Sequence, residues 1–406
     1  MTANLAGPAK LADLLPAASA ILPHVVAVRR RLHAHPELGL QLPLTQAIVS
    51  DQLRGLGLEP VPGTAVSSVT AVIHGAEPGP TVLLRADMDA LPLQEDTELD
   101  FASETPGAMH ACGHDTHVAM LLGAARLLTD RRAALRGNVL LMFQPGEEGF
   151  HGARHMLEEG LLDRAPSEVT GAFGIHIGTR YATGTINLRP GALLAAGDTI
   201  RITVRGRGGH ASAPHLAADP ITVAAEIVLA LQTAVTRQVH AFDPVVITIA
   251  HVVAGTTTNI IPETAFIEGT MRTVSDEARE TGRALVRRVA AGIAAAHGVT
   301  ADVQLEPGYP VTYNEPRFTE FVRGLGVELA GPGPVHEMEH PIMGAEDFSY
   351  VLQRVPGAFV FLGARPAGQD PATAPQNHSN RVVFDEPPMA LGAALYAAVA
   401  LRHLDS

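Results

Sequence analysis

Short apolar runs alternate with helical patterns along most of this 406-residue chain, and that alternation limits the fold more than any other feature. SSVTAVIHG, TVLLRADMD, NVLLMFQPG and GAFGIHIG each read as a strand, and helical patterns such as VAMLLGAARLLTDRR stand between them. Strands spaced in this way predict an α/β fold whose sheet is mostly parallel and covered by helices. Ahead of them, LADLLPAASAILPHVVAVRRRLHAHPELG has apolar residues at helical spacing and a stop at Pro36 and Gly39. In parallel sheets ligand chemistry collects at the carboxyl ends of strands. RADMD, QPGEE and IHIG each directly follow an apolar strand run, so a site is expected there.

Near residue 190 the pattern changes. DTIRITVRGRGG alternates apolar and polar residues, as a half-solvated strand does. A helix over ADPITVAAEIVLALQTAV, strands over VVITIAHVVAG and AFIEGTMRTV, a helix from DEARETGRALVRRVAAGIAAAHG and the strand VTADVQLEP follow. This βαββαβ order predicts a ferredoxin-like layer. The expected architecture is one α/β domain, residues 1–189 and 302–406, interrupted by a smaller α+β domain at 190–301.

Composition removes several function classes. With 42 acidic against 29 basic residues the formal charge is −13, so no basic stripe is available to displace counterions from nucleic acid. GRGGH lacks the lysine and the serine or threonine of a phosphate-binding loop. The single cysteine makes no intramolecular disulfide, as suits a reduced compartment. MTANLAGPAKLADLLPAASAIL carries a lysine, an aspartate and two prolines where a signal peptide needs an unbroken apolar run, so it reads as mature protein. No stretch approaches the ~18 to 20 uninterrupted apolar residues of a membrane span. The expectation is a cytoplasmic protein with neither nucleic acid nor membrane as partner.

Five residues at expected strand ends or in loops can hold metal: Cys112, His114, Glu148, His176 and His378. Thiolate, imidazole and carboxylate together suit a divalent transition metal such as zinc, manganese or cobalt. The alternative for a lone cysteine is a small buried hydrophobe. QPGEEG puts two carboxylates side by side after an apolar strand. Neighbours in an extended loop point different ways, so one can ligate while the other takes a proton from an activated water, unless the pair is a solvated acidic turn. Asp89 of RADMDALP is placed to orient a ligating imidazole, whereas Asp87 equally suits a salt bridge or a cap. His117 is expected to meet backbone or solvent in the first turn of THVAMLLGAARLL. His110 reads as a loop or surface residue, and His33 and His35 as helix-end and turn residues.

RRxLHxHPELG, RADMDALP, HACGHDTHVAMLLGAA, FQPGEEG, GRGGHASAPH, TNIIPE, MGAEDF and NHSN with a downstream DE occur in that order from about residue 30 to 386. Together they resemble the metal-dependent aminoacylase family of amidohydrolases, whose relatives include hippurate hydrolase and the hydrolases of N-acyl and indole-acetic acid–amino acid conjugates. The resemblance implies that the five residues bind one or two ions of manganese, zinc, cobalt or nickel, with Glu147 as general base. It implies that the inserted domain pairs with its copy in a homodimer and serves as a lid. It further implies that His210 reaches a partner's site to stabilise the oxyanion, and that Asn259, Arg272 and the backbone near Gly344 hold the substrate's carboxylate. Relatives often carry an aromatic residue and a proline where this chain has Gly178 and Thr179, which leaves the acyl pocket open.

The function so implied is hydrolysis of the amide bond of N-acyl amino acids by water activated at metal and glutamate. Carboxypeptidase or dipeptidase action on short peptides keeps the same chemistry, and a metal-containing binding protein without catalysis is a third reading. Cysteine-protease chemistry is weaker, because Cys112 and His114 in one tight loop are better placed to share a cation than to form a nucleophile and base.

Overall fold

A computed structural model describes residues 11–405, so the part of the N-terminal reading that falls on residues 1–10 lies outside the described residues. The chain divides into two compact units. The first takes the described residues up to Leu193, Tyr313–His340 and the stretch from Asp347 onward; the second comprises Leu194–Thr312 and Pro341–Glu346.

The first unit is built on an eight-stranded sheet in the order Val61–Pro62, Val69–His74, Arg136–Gln144, Glu77–Asp87, Val169–Ala182, Gly357–Arg365, Ile186–Leu188 and Val335–Glu337. The four central strands, from Arg136–Gln144 to Gly357–Arg365, run parallel, as the sequence predicts. Helices His114–Thr129 and Met389–His403 pack on this sheet, and helix Leu14–Ala34 packs on both. Every residue from Met389 to Leu401 is buried, the pattern of a helix enclosed on all sides. Leu14, Ala18, Val25, Val28 and Leu32 form the buried stripe of the first long helix. The segment Leu11–Ala34 is long and apolar enough to cross a membrane by length and composition, a test that core helices also pass. Its prolines and arginines break any unbroken apolar run, yet they do not lower its mean hydropathy below what a span requires.

A charged network lies under the carboxyl ends of these strands. Arg85 donates to Gln144 Oε1 at 2.8 Å, to Asp87 Oδ2 at 2.8 Å and to Asp347 Oδ1 at 3.2 Å, with all three charged side chains fully buried. Asp347 also accepts from Gln144 Nε2 at 2.6 Å and from the Ala153 amide at 2.9 Å. Removing Arg85 from such a set leaves buried carboxylates without their guanidinium partner. Arg85→Ala is therefore expected to lower unfolding free energy by about 3–5 kcal/mol in a urea titration. A loss under about 1 kcal/mol would show that the carboxylates are neutralised in another way.

The second unit holds a four-stranded antiparallel sheet in the order Val245–Ala254, Thr264–Thr273, Ala196–Arg205, Thr300–Pro307. Helices Pro220–Gln238 and Asp276–Ala296 cover one face, burying Ile200, Ile202 and Val204 against Val223, Ile227, Leu231 and Leu285. Asp219 caps the first helix through the Ile221 amide and Ser275 caps the second through the Ala278 amide. The strand order is that of the expected ferredoxin-like layer. Thr300–Pro307 pairs along its whole length with Ala196–Arg205, so this strand belongs to the second unit, and a boundary at 301 would cut it.

Candidate metal centre

Cys112, Gly113 and His114 make the turn into helix His114–Thr129. Gly113 takes φ 83°, and a Cβ there would stand 2.4 Å from Ile177 Cγ2, so only glycine fits this entry. His114 is thus the first helical residue, where the sequence suggested a loop. Cys112 Sγ stands 3.4 Å from His176 Nε2 and 3.2 Å from His378 Nε2. Glu148 Oε1 lies 3.2 Å from His378 Nε2 and 4.0 Å from His114 Nε2. Ligand atoms of Cys112, His114 and His176 fall within 4.8 Å of one another, as do those of Cys112, Glu148 and His378 and those of His114, Glu147 and Glu148. The five sequence-predicted ligands and Glu147 therefore converge on one place.

Each donor is held by its neighbours. His176 Nδ1 donates to the Ile177 carbonyl at 2.7 Å, which leaves the Nε2 lone pair facing Cys112. This histidine lies inside strand Val169–Ala182 and not after it, because the strand keeps pairing with Gly357–Arg365 beyond His176. Asp89 accepts from the amides of both Glu147 and Glu148 at 3.0 Å, and its Oδ1 is 3.4 Å from His114 Nδ1. It fixes the glutamate pair as well as facing the imidazole that the sequence assigned to it. His378 sits in a loop at φ 70°, a conformation that costs a non-glycine residue roughly 1–3 kcal/mol, and its amide donates to the Ala111 carbonyl at 2.9 Å.

The electrostatics are those of donors gathered for a cation. Burial pushes the Cys112 thiol up, and the Glu148 carboxylate adds to it. Contacts with Cys112 and Glu148 push His378 up to about 10. Burial drives His176 well below its usual range, with His117 beside it, so the ring stays neutral. Burial alone would lower His114, yet the Asp87 carboxylate and Cys112 hold it well above its ordinary value. Neither His114 nitrogen makes a hydrogen bond despite burial. Most buried polar atoms in folded proteins are hydrogen-bonded, so each such group calls for an explanation. One thiol, three imidazoles and a carboxylate with such orphaned atoms fit divalent transition-metal ions.

Two further histidines are buried beside these donors, and the backbone contact expected of His117 is present. His117 is buried, with Nδ1 2.5 Å from Asp87 Oδ1 and Nε2 accepting from the Ile177 amide at 2.7 Å. An amide can only donate, so the His117 proton sits on Nδ1 and faces Asp87. Both nitrogens are engaged, and the residue braces the strand that carries His176. His110 is fully buried with neither nitrogen hydrogen-bonded, not a surface residue. Burial lowers it to about 3, so it is neutral.

His33 belongs to an ion-pair cluster that sequence reading missed. Its Nδ1 lies 2.9 Å from Asp115 Oδ2 and its Nε2 3.3 Å from Glu95 Oε1. Arg29, also buried, donates to Asp115 at 2.8 Å and to Glu386 at 2.8 Å. Burial opposes charge on His33, but Asp115 outweighs it and raises the ring to about 9. The cluster ties three of the quoted motifs together beneath the turn that holds Cys112 and His114.

The remaining predicted residues lie in the second unit. His210 pairs with Ile260, and the Ala211 amide donates to the Asn259 carbonyl at 3.0 Å, so these two segments adjoin. Arg272 lies in the four-stranded sheet opposite Gly197, where an added Cβ would stand 2.7 Å from Arg272 Nη1, so the glycine leaves room for the guanidinium. The Gly344 carbonyl accepts from the Ala195 amide at 2.9 Å.

Known proteins share this chain's sequence and fold. It is 40% identical to thermostable carboxypeptidase 1 of Saccharolobus solfataricus over 93% of this chain and 95% of that protein. It is 38% identical to N-acetylcysteine deacetylase of Bacillus subtilis over 94% and 97% of the two chains. A crystal structure of a Bacillus subtilis protein described as a dinuclear metal binding peptidase superposes with a TM-score of 0.83 at 35% identity, covering 95% of this chain and 99% of that one. The pattern of Peptidase family M20/M25/M40 matches residues 83–402, and the chain belongs to that family.

Proposed function

We propose that this chain hydrolyses the amide bond between an acyl group and the nitrogen of an amino acid, using divalent transition-metal ions held by Cys112, His114, Glu148, His176 and His378. The convergence of these five donors beside Glu147 is the observation that carries the reading. A bound ion supplies Lewis-acid activation of water and of the amide carbonyl. Glu147 takes the proton of the attacking water and delivers it to the leaving nitrogen, from a position set by the Asp89 clamp on its amide. Asp89 thus acts on the reaction by holding both glutamates.

His210 donates to the oxyanion in this reading. Its Nδ1 accepts from the Ser212 amide at 3.1 Å and stands 2.7 Å from the Ser212 hydroxyl, which leaves Nε2 as the nitrogen to donate. A donor of this kind contributes about 3–4 kcal/mol in other hydrolases. Arg272 meets the substrate's carboxylate with its planar fork, assisted by Asn259 and the backbone at Gly344. His210 serves the site of a second copy, in a homodimer formed through the second unit. Manganese, zinc, cobalt and nickel all suit the donor set. A cysteine used as ligand must stay reduced, which agrees with a cytoplasmic location.

The carboxypeptidase relative supports a second reading, in which the acyl part is an amino acid with a free amine. N-acetyl amino acids and unblocked dipeptides, offered at equal concentration with each metal in turn, separate the two. We expect at least a tenfold higher kcat/KM for the N-acetyl series, a difference of about 1.4 kcal/mol. The reverse preference would assign the chain to peptides.

A further inference from the structure

We infer that Asn377 is a positioning residue that assembles the metal shell from three separate chain segments; the inference rests on the metal-shell reading above. Asn377 precedes His378 and is half-buried. Its Nδ2 donates to the Ile177 carbonyl at 3.0 Å and to the Cys112 carbonyl at 3.2 Å. Its Oδ1 accepts from the Thr179 amide at 3.3 Å. Carbonyls only accept and amides only donate, so the side-chain orientation is fixed by its partners.

Each contact leads to a different ligand. The Cys112 carbonyl belongs to a ligand itself, and Nδ2 is also 4.0 Å from Cys112 Sγ. The Ile177 carbonyl is the group that accepts the His176 Nδ1 proton and sets that ring. His378 follows directly in the chain, and the Thr179 hydroxyl donates to the Pro375 carbonyl at 2.8 Å, closing the same loop on the strand. His378 is more than half exposed and takes a left-handed backbone conformation, and its amide bond to the Ala111 carbonyl is a second tie between this loop and the Cys112 turn. One amide therefore fastens the loop of His378 to the turn of Cys112 and the strand of His176. Without it, an exposed loop must order itself when the ion binds, and that ordering subtracts from affinity.

Cobalt(II) titrated into the metal-free full chain tests this, read by the thiolate-to-cobalt charge-transfer absorption that Cys112 would give. Asn377→Ala is expected to weaken cobalt binding 10- to 100-fold, the range seen when groups that support ligands are removed. Asn377→Asp, of the same size but turning a carboxylate toward two carbonyls, is expected to weaken it further. If Asn377→Ala fails to fold without metal, Asn377→Asp carries the test alone. Cobalt affinity within twofold of the parent in folded variants, with only a lower melting temperature, would overturn the positioning role and leave the hydrolase reading standing. A parent chain that gives no thiolate absorption with cobalt would overturn both.

Discussion

Replacing Glu147 by glutamine is expected to lower turnover of an N-acyl amino acid at least 100-fold while metal content and melting temperature stay near those of the parent. The loss matches the 10² to 10⁴ that a positioned general base contributes. Glutamine keeps the size of the side chain and the backbone amide that Asp89 grips, so the loop and its neighbour Glu148 remain in place. Only the capacity to take a proton is removed. Metal analysis alongside steady-state kinetics checks both halves. Activity within tenfold of the parent would remove Glu147 from that role, and loss of metal would reassign it as a ligand.

Cys112→Ala is expected to weaken metal binding by more than the 10- to 100-fold that supporting residues contribute, and to reduce activity below detection at micromolar metal. The thiol is the one donor that approaches both His176 and His378, so its removal opens both sides of the shell. Alanine is smaller than cysteine and removes only the sulfur, so the metal-free fold should persist. The thermal signature follows from mass action. Ions present at 100 times their dissociation constant stabilise the parent by about 2.7 kcal/mol, and this increment should vanish in the variant. An undiminished melting shift with added metal would show that the thiol is a buried hydrophobe, the alternative that the lone cysteine left open.

The elements of both units were legible because periodicity in each was strong. Runs such as NVLLMF and ITIAHVV have no competing helical reading, and the βαββαβ order follows from their sequence alone. The candidate metal-binding residues were legible for a different reason: the lone cysteine and the paired glutamates stand out in the sequence, and the structure brings their donor atoms close to those of the histidines. What stayed hidden depends on contacts between distant residues. Arg85 meets Asp347 across 262 positions, and Arg29 meets Glu386 across 357, so no local pattern announces either pair. For His117 the amphipathic start of helix THVAMLLGAARLL suggested backbone or solvent; the backbone contact is there, at the Ile177 amide, but Asp87, 30 positions earlier, is a partner that no local pattern announces. Asn377 lies in a polar stretch, APQNHSN, that reads as an ordinary loop. Its role emerges only when Cys112 and Ile177 come within reach of one amide.

The most direct test of a metal-dependent amide hydrolase is activity on an N-acetyl amino acid before chelation, after chelation, and after return of a single metal. Activity should disappear with the chelator and return with manganese, zinc, cobalt or nickel, in step with metal bound per chain. Hydrolysis that persists undiminished in chain shown to be metal-free would contradict the account.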